Sequence, residues 1–215
     1  MHQAARGGLL KHFAIALLLV LTCRGAVAAI LEGRVVGVTD GDTVTVLDGE
    51  RKRHKIRLGG IDAPEDGQPF GKRSKENLSD MVFGKDVRVE WKKRDKYKRI
   101  VGKVWVQPES CPTCPMTLDA GHAQITVGLA WWYRKYAKEQ SPADRGAYEF
   151  SEQEARGKRV GLWSEPDPVP PWEWRRSSKG TQPPKSKGMI NAGGFDVEPL
   201  YGLNIRGIVS RPDDQ

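Results

Sequence analysis

Asp40-Gly41-Asp42-Thr43-Val44-Thr45-Val46-Leu47-Asp48-Gly49 is the stretch on which the reading of this chain turns. Val44 and Val46 alternate with Thr43 and Thr45, which gives a strand one apolar and one polar face. Asp48-Gly49 then predicts a tight hairpin turn whose residues take positive φ. Ile56 and Leu58 alternate with Lys55 and Arg57 on the returning strand. Further on, Val87, Val89 and Trp91 alternate with Arg88 and Glu90, and after a basic turn Ile100, Val101, Val104 and Val106 form another strand. From Leu31 to Val106 the pattern is therefore mostly strand, and five short strands fit one small barrel or curled sheet.

Helices punctuate this pattern. Leu78, Met81 and Val82 fall at i, i+3 and i+4, with Phe70 two turns earlier and Gly84 placed to end the helix. Ser141-Pro142-x-Asp144 is a start signal: Ser as N-cap, Pro at the first helical position and an acid in the first turn. Ala143, Ala147 and Phe150 follow at i, i+4 and i+7, which predicts a helix to about Arg156. His122 to Leu129 carries a weaker helical signal, opposed by Gly128 and the β-branched residues.

The 215 residues suffice for one globular domain with a tail, and 38% hydrophobic content beside 29% charged excludes a disordered polyelectrolyte. No run reaches the roughly 18 to 20 apolar residues of a bilayer-spanning helix, which excludes a polytopic membrane protein. Arg6 and Lys11, the apolar run Phe13 to Leu21 and the small residues Ala26-Val27-Ala28 predict a secretory signal peptide over residues 1–28. The mature chain is thus expected to be exported, periplasmic or secreted, with no stable membrane association, and to be a monomer. Arg6, Lys11 and Arg24 leave with that leader, yet the formal excess of eight cations survives in part. Cys23 leaves too, so Cys111 and Cys114 remain, and one close pair in an exported protein predicts a disulfide. Zinc on that pair with His122 lacks a fourth ligand, and Pro108, Pro112 and Pro115 around the pair disfavour a redox centre. Residues 29–163 are read as the domain. In residues 164–188, Pro166, Pro168, Pro170 and Pro171 precede Trp172-Glu173-Trp174-Arg175-Arg176 and a polar linker, and residues 189–215 form a tail without a period.

Carboxylates gather at two strand ends, Asp40-Gly41-Asp42-Thr43 before the second strand and Asp62-Ala63-Pro64-Glu65 after the third. A hairpin joins those strands, so the two clusters are brought side by side. That arrangement suits a hard cation such as calcium, which accepts carboxylates, carbonyls and water in loose geometry. An EF-hand loop is excluded, because Val44 stands at its third ligand position. Asp-Gly and Asp-x-Pro are also ordinary turn chemistry, with each Asp bonding its own backbone. What favours a site is Arg57, whose strand runs into the second cluster: cation, carboxylate and guanidinium together suit a phosphodiester. Lys92-Lys93-Arg94-Asp95-Lys96-Tyr97-Lys98-Arg99 packs six cations into eight residues around one Tyr. Such a run is either a solvated hairpin tip or a surface that tracks a nucleic-acid backbone and stacks a base. Trp131-Trp132-Tyr133-Arg134-Lys135-Tyr136 repeats the combination, with at least one Trp expected in the core and at most two of these aromatics facing substrate.

Across about residues 31–163 the chain resembles the staphylococcal nuclease (thermonuclease-like) family. The resemblance rests on Asp40-Gly41-Asp42-Thr43, Ile56-Arg57-Leu58, Asp62-Ala63-Pro64-Glu65, Asp95-Lys96-Tyr97-Lys98-Arg99, Gly128-Leu129-Ala130 and Gly161-Leu162-Trp163. It implies an α+β fold, a five-stranded OB barrel with about three helices, and calcium-dependent hydrolysis of DNA and RNA to ends carrying 3′-phosphate. It further implies Asp42 and Asp62 as direct calcium carboxylates, Ala63 as a carbonyl ligand and Asp40 in the outer shell. Glu65 falls on the general base or water-positioner, Arg57 and Arg99 on the arginines that grip the phosphate. Lys96 and Tyr97 fall on contacts to a substrate phosphate, and Tyr136, from the Trp131–Tyr136 run, is read as a further substrate contact. Four features depart from the family: Ala63 replaces a Thr, Lys98 stands where Gly is frequent, Gln107 to Gly121 is an insert, and the basic loop after Glu65 is shorter. The competing reading is a non-catalytic OB module that binds nucleic acid or protein, since fold alone does not fix function.

Overall fold

The computed structural model describes residues 28–177. The expected leader, most of the polar linker and the tail lie outside the described residues. Five strands make the barrel: β1 (Ala29–Asp40), β2 (Thr43–Leu47), β3 (Arg53–Leu58), β5 (Asp86–Arg94) and β6 (Ile100–Val106), with the short β4 (Ile61–Asp62) between β3 and the first helix. β1 pairs antiparallel with both β2 and β5, β2 with β3 and β5 with β6. Parallel pairing of β3 with β6, in the register Arg57↔Val101, closes the ring. Val44, Val46, Ile56, Leu58, Val87, Val89, Ile100, Val104 and Val106 are all buried inside it. The alternation seen in sequence is thus the inward row of a closed barrel, which leaves no open edge among these strands.

The first hairpin differs from its predicted turn. Its loop runs over residues 48–52, and the positive φ falls on Arg51 (64°) instead of Gly49. Asp48 supplies the reason: its carboxylate accepts from the backbone N–H of Glu50 (3.0 Å) and Lys52 (2.8 Å) and lies 2.6 Å from His54 Nε2. A side-chain acceptor organises the wider loop that a two-residue turn would have closed.

Helix α1 (Gly71–Val82) buries Ser74, Leu78 and Val82 against the barrel. β7 (Leu118–Asp119) extends the sheet beyond β6, and α2 (Ala120–Thr126) follows, capped by Asp119, whose carboxylate accepts from Gly121 and His122 N–H. The chain then makes β8 (Trp131–Trp132), a 3-10 segment (Arg134–Glu139) and α3 (Pro142–Gly157). Ser141 caps α3 as expected, accepting from Asp144 N–H at 3.0 Å. The buried face is not the expected one, however: Phe150 is 63% exposed, and the inward row is Tyr148, Glu152 and Ala155. Tyr148 donates to Asp119 at 2.7 Å, and buried Glu152 accepts from Trp132 N–H at 3.1 Å and pairs with Arg134 at 2.7 Å. A charged residue holds a core position because Arg134 and Arg156 pair with it and a backbone N–H bonds it there, and apolar periodicity cannot register it.

A third departure lies at the far end. The packed body continues past residue 163 through the 3-10 turn Gly161–Ser164 to α4 (Pro171–Ser177), inside the segment read as Pro-rich path and linker. Trp172 stacks on Tyr133, with ring centroids 5.3 Å apart and planes 8° from parallel, and meets Trp131 edge-on. Cys111 and Cys114 are joined by a disulfide in the loop between β6 and β7, and His122 instead bonds Ser151 (2.8 Å) and stacks on Tyr148.

Candidate active site

A cleft of about 710 Å³ opens where β1 turns into β2, where β3 ends, and beside the β5–β6 loop. Asp40, Asp42, Arg57, Asp62, Ala63, Glu65, Lys96, Tyr97, Arg99 and Tyr136 all line it. The structure therefore brings together every site residue read from the sequence, from five separate stretches of chain.

The acidic turn is held from three sides. Register shifts in β1 between Val35 and Gly37 and between Val38 and Asp40 bend the strand as it enters the turn. Asp40 accepts from Asp42 N–H at 3.0 Å, so this one acid does the turn work expected of an Asp-Gly sequence. Gly41 sits against α1, where a Cβ would fall 1.9 Å from Ser74 Oγ. Gln124, wholly buried, donates to Gly41 O at 2.8 Å and Ser74 O at 2.9 Å, tying the turn to α1.

The second cluster is fixed with equal economy. β4 pairs with β8 in the register Asp62↔Trp131, which explains why Trp131 and Trp132 are core residues while Tyr133 and Tyr136 reach the cleft. Gly71, at the start of α1, packs against the Glu65 backbone, and a Cβ there would stand 2.1 Å from Glu65 O. Gln68 accepts from Glu65 N–H at 3.0 Å and donates to Val169 O at 2.6 Å.

Arg57 unites the two clusters. Its Nη1 lies 2.7 Å from Asp42 Oδ2 and its Nη2 2.7 Å from Asp62 Oδ1, so one guanidinium bridges carboxylates from different elements. Asp42 is 5% exposed and Asp62 wholly buried. Burial pushes the Asp42 carboxyl up to about 7; Arg57 pulls it down, while Asp40 and Asp62 push it further up and the Ala63 N–H, 2.9 Å from Oδ2, lowers it. Among the described residues no three His, Cys, Asp or Glu side chains form a metal-ligand group.

Arg99 is aimed by its neighbours. Asp95 accepts its Nε–H at 2.7 Å, and Nη1 lies 3.4 Å from Thr43 Oγ1, which in turn donates to Asp42 Oδ1 at 2.9 Å. Lys98 takes φ 66°, the left-handed conformation in which Gly is the easier residue, so the loop keeps its shape at some strain. Tyr97, at the tip, is 67% exposed.

The sequence reading missed Arg175. From α4 its Nη2 lies 2.7 Å from Asp62 Oδ2, its Nη1 3.2 Å from Asp62 Oδ1, and Nη1 also bonds Glu65. Burial opposes its charge, but the bonds and charges of Asp62 and then Glu65 outweigh that and raise its pKa. Pro171 opening the helix, Glu173 in its first turn and Arg175-Arg176 in its last are a legible short-helix signature that the surrounding prolines obscured.

Fold and cleft together define an α+β barrel domain whose open, charged site is built from acids and arginines. The chain belongs to the staphylococcal nuclease family: residues 55–165 match the family described as Staphylococcal nuclease homologue. It is 43% identical over 155 residues to Protein ParB of Escherichia coli, covering 72% of this chain and 80% of that protein. It is 40% identical over 164 residues to a Micrococcal nuclease of Shigella flexneri (73% and 82%). With an uncharacterized endonuclease of Haemophilus influenzae it shares 36% identity over 146 residues (68% and 74%).

Proposed function

We propose that the protein is an exported, calcium-dependent nuclease that hydrolyses phosphodiester bonds of DNA, RNA or both with low base specificity. The observation that carries this reading is the single guanidinium of Arg57 bridging two buried carboxylates beside Glu65 and Arg99. Likeness to proteins named as nucleases supports it. The disulfide supports export, since such bonds persist in oxidising compartments.

The donor set fits a hard divalent ion. Asp42 and Asp62 are buried acids that share the guanidinium of Arg57, and calcium accepts carboxylates together with the Ala63 carbonyl and water. Bound there, the ion supplies a Lewis acid for the phosphoryl oxygen. The chain's own groups do the remainder. Glu65 orients the attacking water and takes its proton as oxygen bonds to phosphorus. Arg57 and Arg99 bind the equatorial oxygens as negative charge develops there, where preorganised donors act most strongly. The bond from phosphorus to the 5′ oxygen breaks, that oxygen takes a proton from solvent water, and a 3′-phosphate end remains. Lys96 and Tyr97 hold the neighbouring backbone, and Tyr136 offers a face to a base. Contacts of this kind grip charge and ring faces, which every base offers alike.

Incubation of the purified protein with matched plasmid DNA and RNA, in calcium and then in chelator, tests the reading. Cleavage that chelation abolishes is expected. Binding of nucleic acid without cleavage in calcium would establish the non-catalytic OB module instead.

A further inference from the structure

We propose that Arg175 is a further residue of this site, a positioning residue whose guanidinium contends with the divalent ion for Asp62 and Glu65 and thereby sets the metal affinity. The inference rests on the metal-site reading above. Arg175 touches both oxygens of Asp62 and one of Glu65, so it spans the gap between the proposed ligand and the proposed base. Asp62 thus has two arginine partners of different standing. Arg57 is built into the barrel wall with 14% of its side chain exposed, whereas Arg175 comes from a seven-residue helix and is 39% exposed.

Charge and anchorage both favour exchange. With Arg175 withdrawn, Asp62 keeps Arg57 as its one ion-pair partner and Glu65 has none among the described residues, leaving acid at that end of the cleft for a divalent ion to neutralise. Water reaches the Arg175 end of its pair with Asp62 more than it reaches Arg57, and the long side chain loses freedom to form that pair, so of the two arginines Arg175 yields more readily to a competitor. A helix this short has little stability of its own, so its place depends on the Trp172–Tyr133 stack and on the Gln68 bond to Val169 O. Gln68 also holds the Glu65 N–H, so this strap and the loop carrying Glu65 are joined at backbone and side chain alike. An ion arriving at Asp62 therefore loosens α4 as it displaces Arg175.

Calcium titration of the full chain by calorimetry, comparing wild type, Arg175→Lys and Arg175→Gln, tests the proposal. The expected order of affinity is Gln tightest, by about tenfold over wild type, with Lys between, because an ammonium cannot fork two carboxylates as a guanidinium does. Hydrogen exchange over residues 169–177 is the second measurement: calcium should speed it in wild type and leave it unchanged in Arg175→Gln. Equal or weaker calcium binding by Arg175→Gln overturns the proposal, as does exchange in wild type that calcium slows or leaves unchanged. Absence of calcium binding in all three proteins fails the metal-site reading itself, and this inference with it.

Discussion

Asp62, with none of its side chain exposed, meets Arg57 Nη2 at 2.7 Å across the end of β3. The same guanidinium reaches Asp42 at 2.7 Å, so its removal leaves buried Asp42 without an arginine and Asp62 with Arg175 alone. Breaking a buried pair on one side costs about 3–5 kcal/mol, since the remaining charge has neither water nor partner. Arg57→Gln is expected to lose about 3 kcal/mol of unfolding free energy in chelator, read by denaturant titration, and to recover part of it in calcium. Identical losses in both media would mean that no ion takes the place of the missing charge.

Asp42 gives the molecule a signature with pH. Its carboxyl rises from 3.8 to about 7 on folding, chiefly by burial, so between those values the folded state binds a proton that the unfolded chain has released. Stability from this group is fully present below pH 3.8 and is lost as pH rises toward 7. In chelator, Asp42→Asn should flatten that decline, and melting temperatures of the two proteins across this range check it. Calcium binding needs the ionised form, so affinity in the wild type should climb over the same interval.

How much of this was legible beforehand depends on which physics wrote each element. Val44, Val46, Ile56 and Leu58 face inward because alternation is a direct image of a half-buried strand, and the acids and arginines of the cleft sit in short motifs tied to those strands. Glu152 and Gln124 were illegible: each is a polar residue in the core, kept there by partners far away in sequence. Arg175 belongs to the same kind. It meets Asp62 across 113 positions, a contact set by how Trp172 packs on Tyr133 and by nothing in the local pattern of residues 164–177.

Glu65 and Arg99 should separate turnover from binding. Neither is buried with Asp62, and both are assigned to charge and proton movements that arise only as the bond breaks. Glu65→Gln and Arg99→Ala are each expected to lower kcat by about 10²-fold or more while KM for nucleic acid changes little. A rise in KM with kcat intact would instead assign either residue to ground-state grip on the backbone, and steady-state kinetics on one oligonucleotide decide between the two.

Gln124 tests whether the acidic turn needs its support from behind. Its amide donates to Gly41 O and Ser74 O, both bonds buried, and its own oxygen accepts from half-buried Asn77 Nδ2 at 2.6 Å. Met has nearly the volume of Gln but none of these bonds. Gln124→Met therefore leaves buried carbonyls without donors, at about 1–3 kcal/mol, beyond any loss from packing. Gly41 is bonded to Asp42, so slack in the turn also spreads the positions of that carboxylate. The variant is expected to melt lower and to bind calcium more weakly, whereas Gln153→Met, an exposed position on α3, should change neither. Lower stability with undiminished calcium affinity would show that the pairing of β1 with β2 alone suffices to place Asp42.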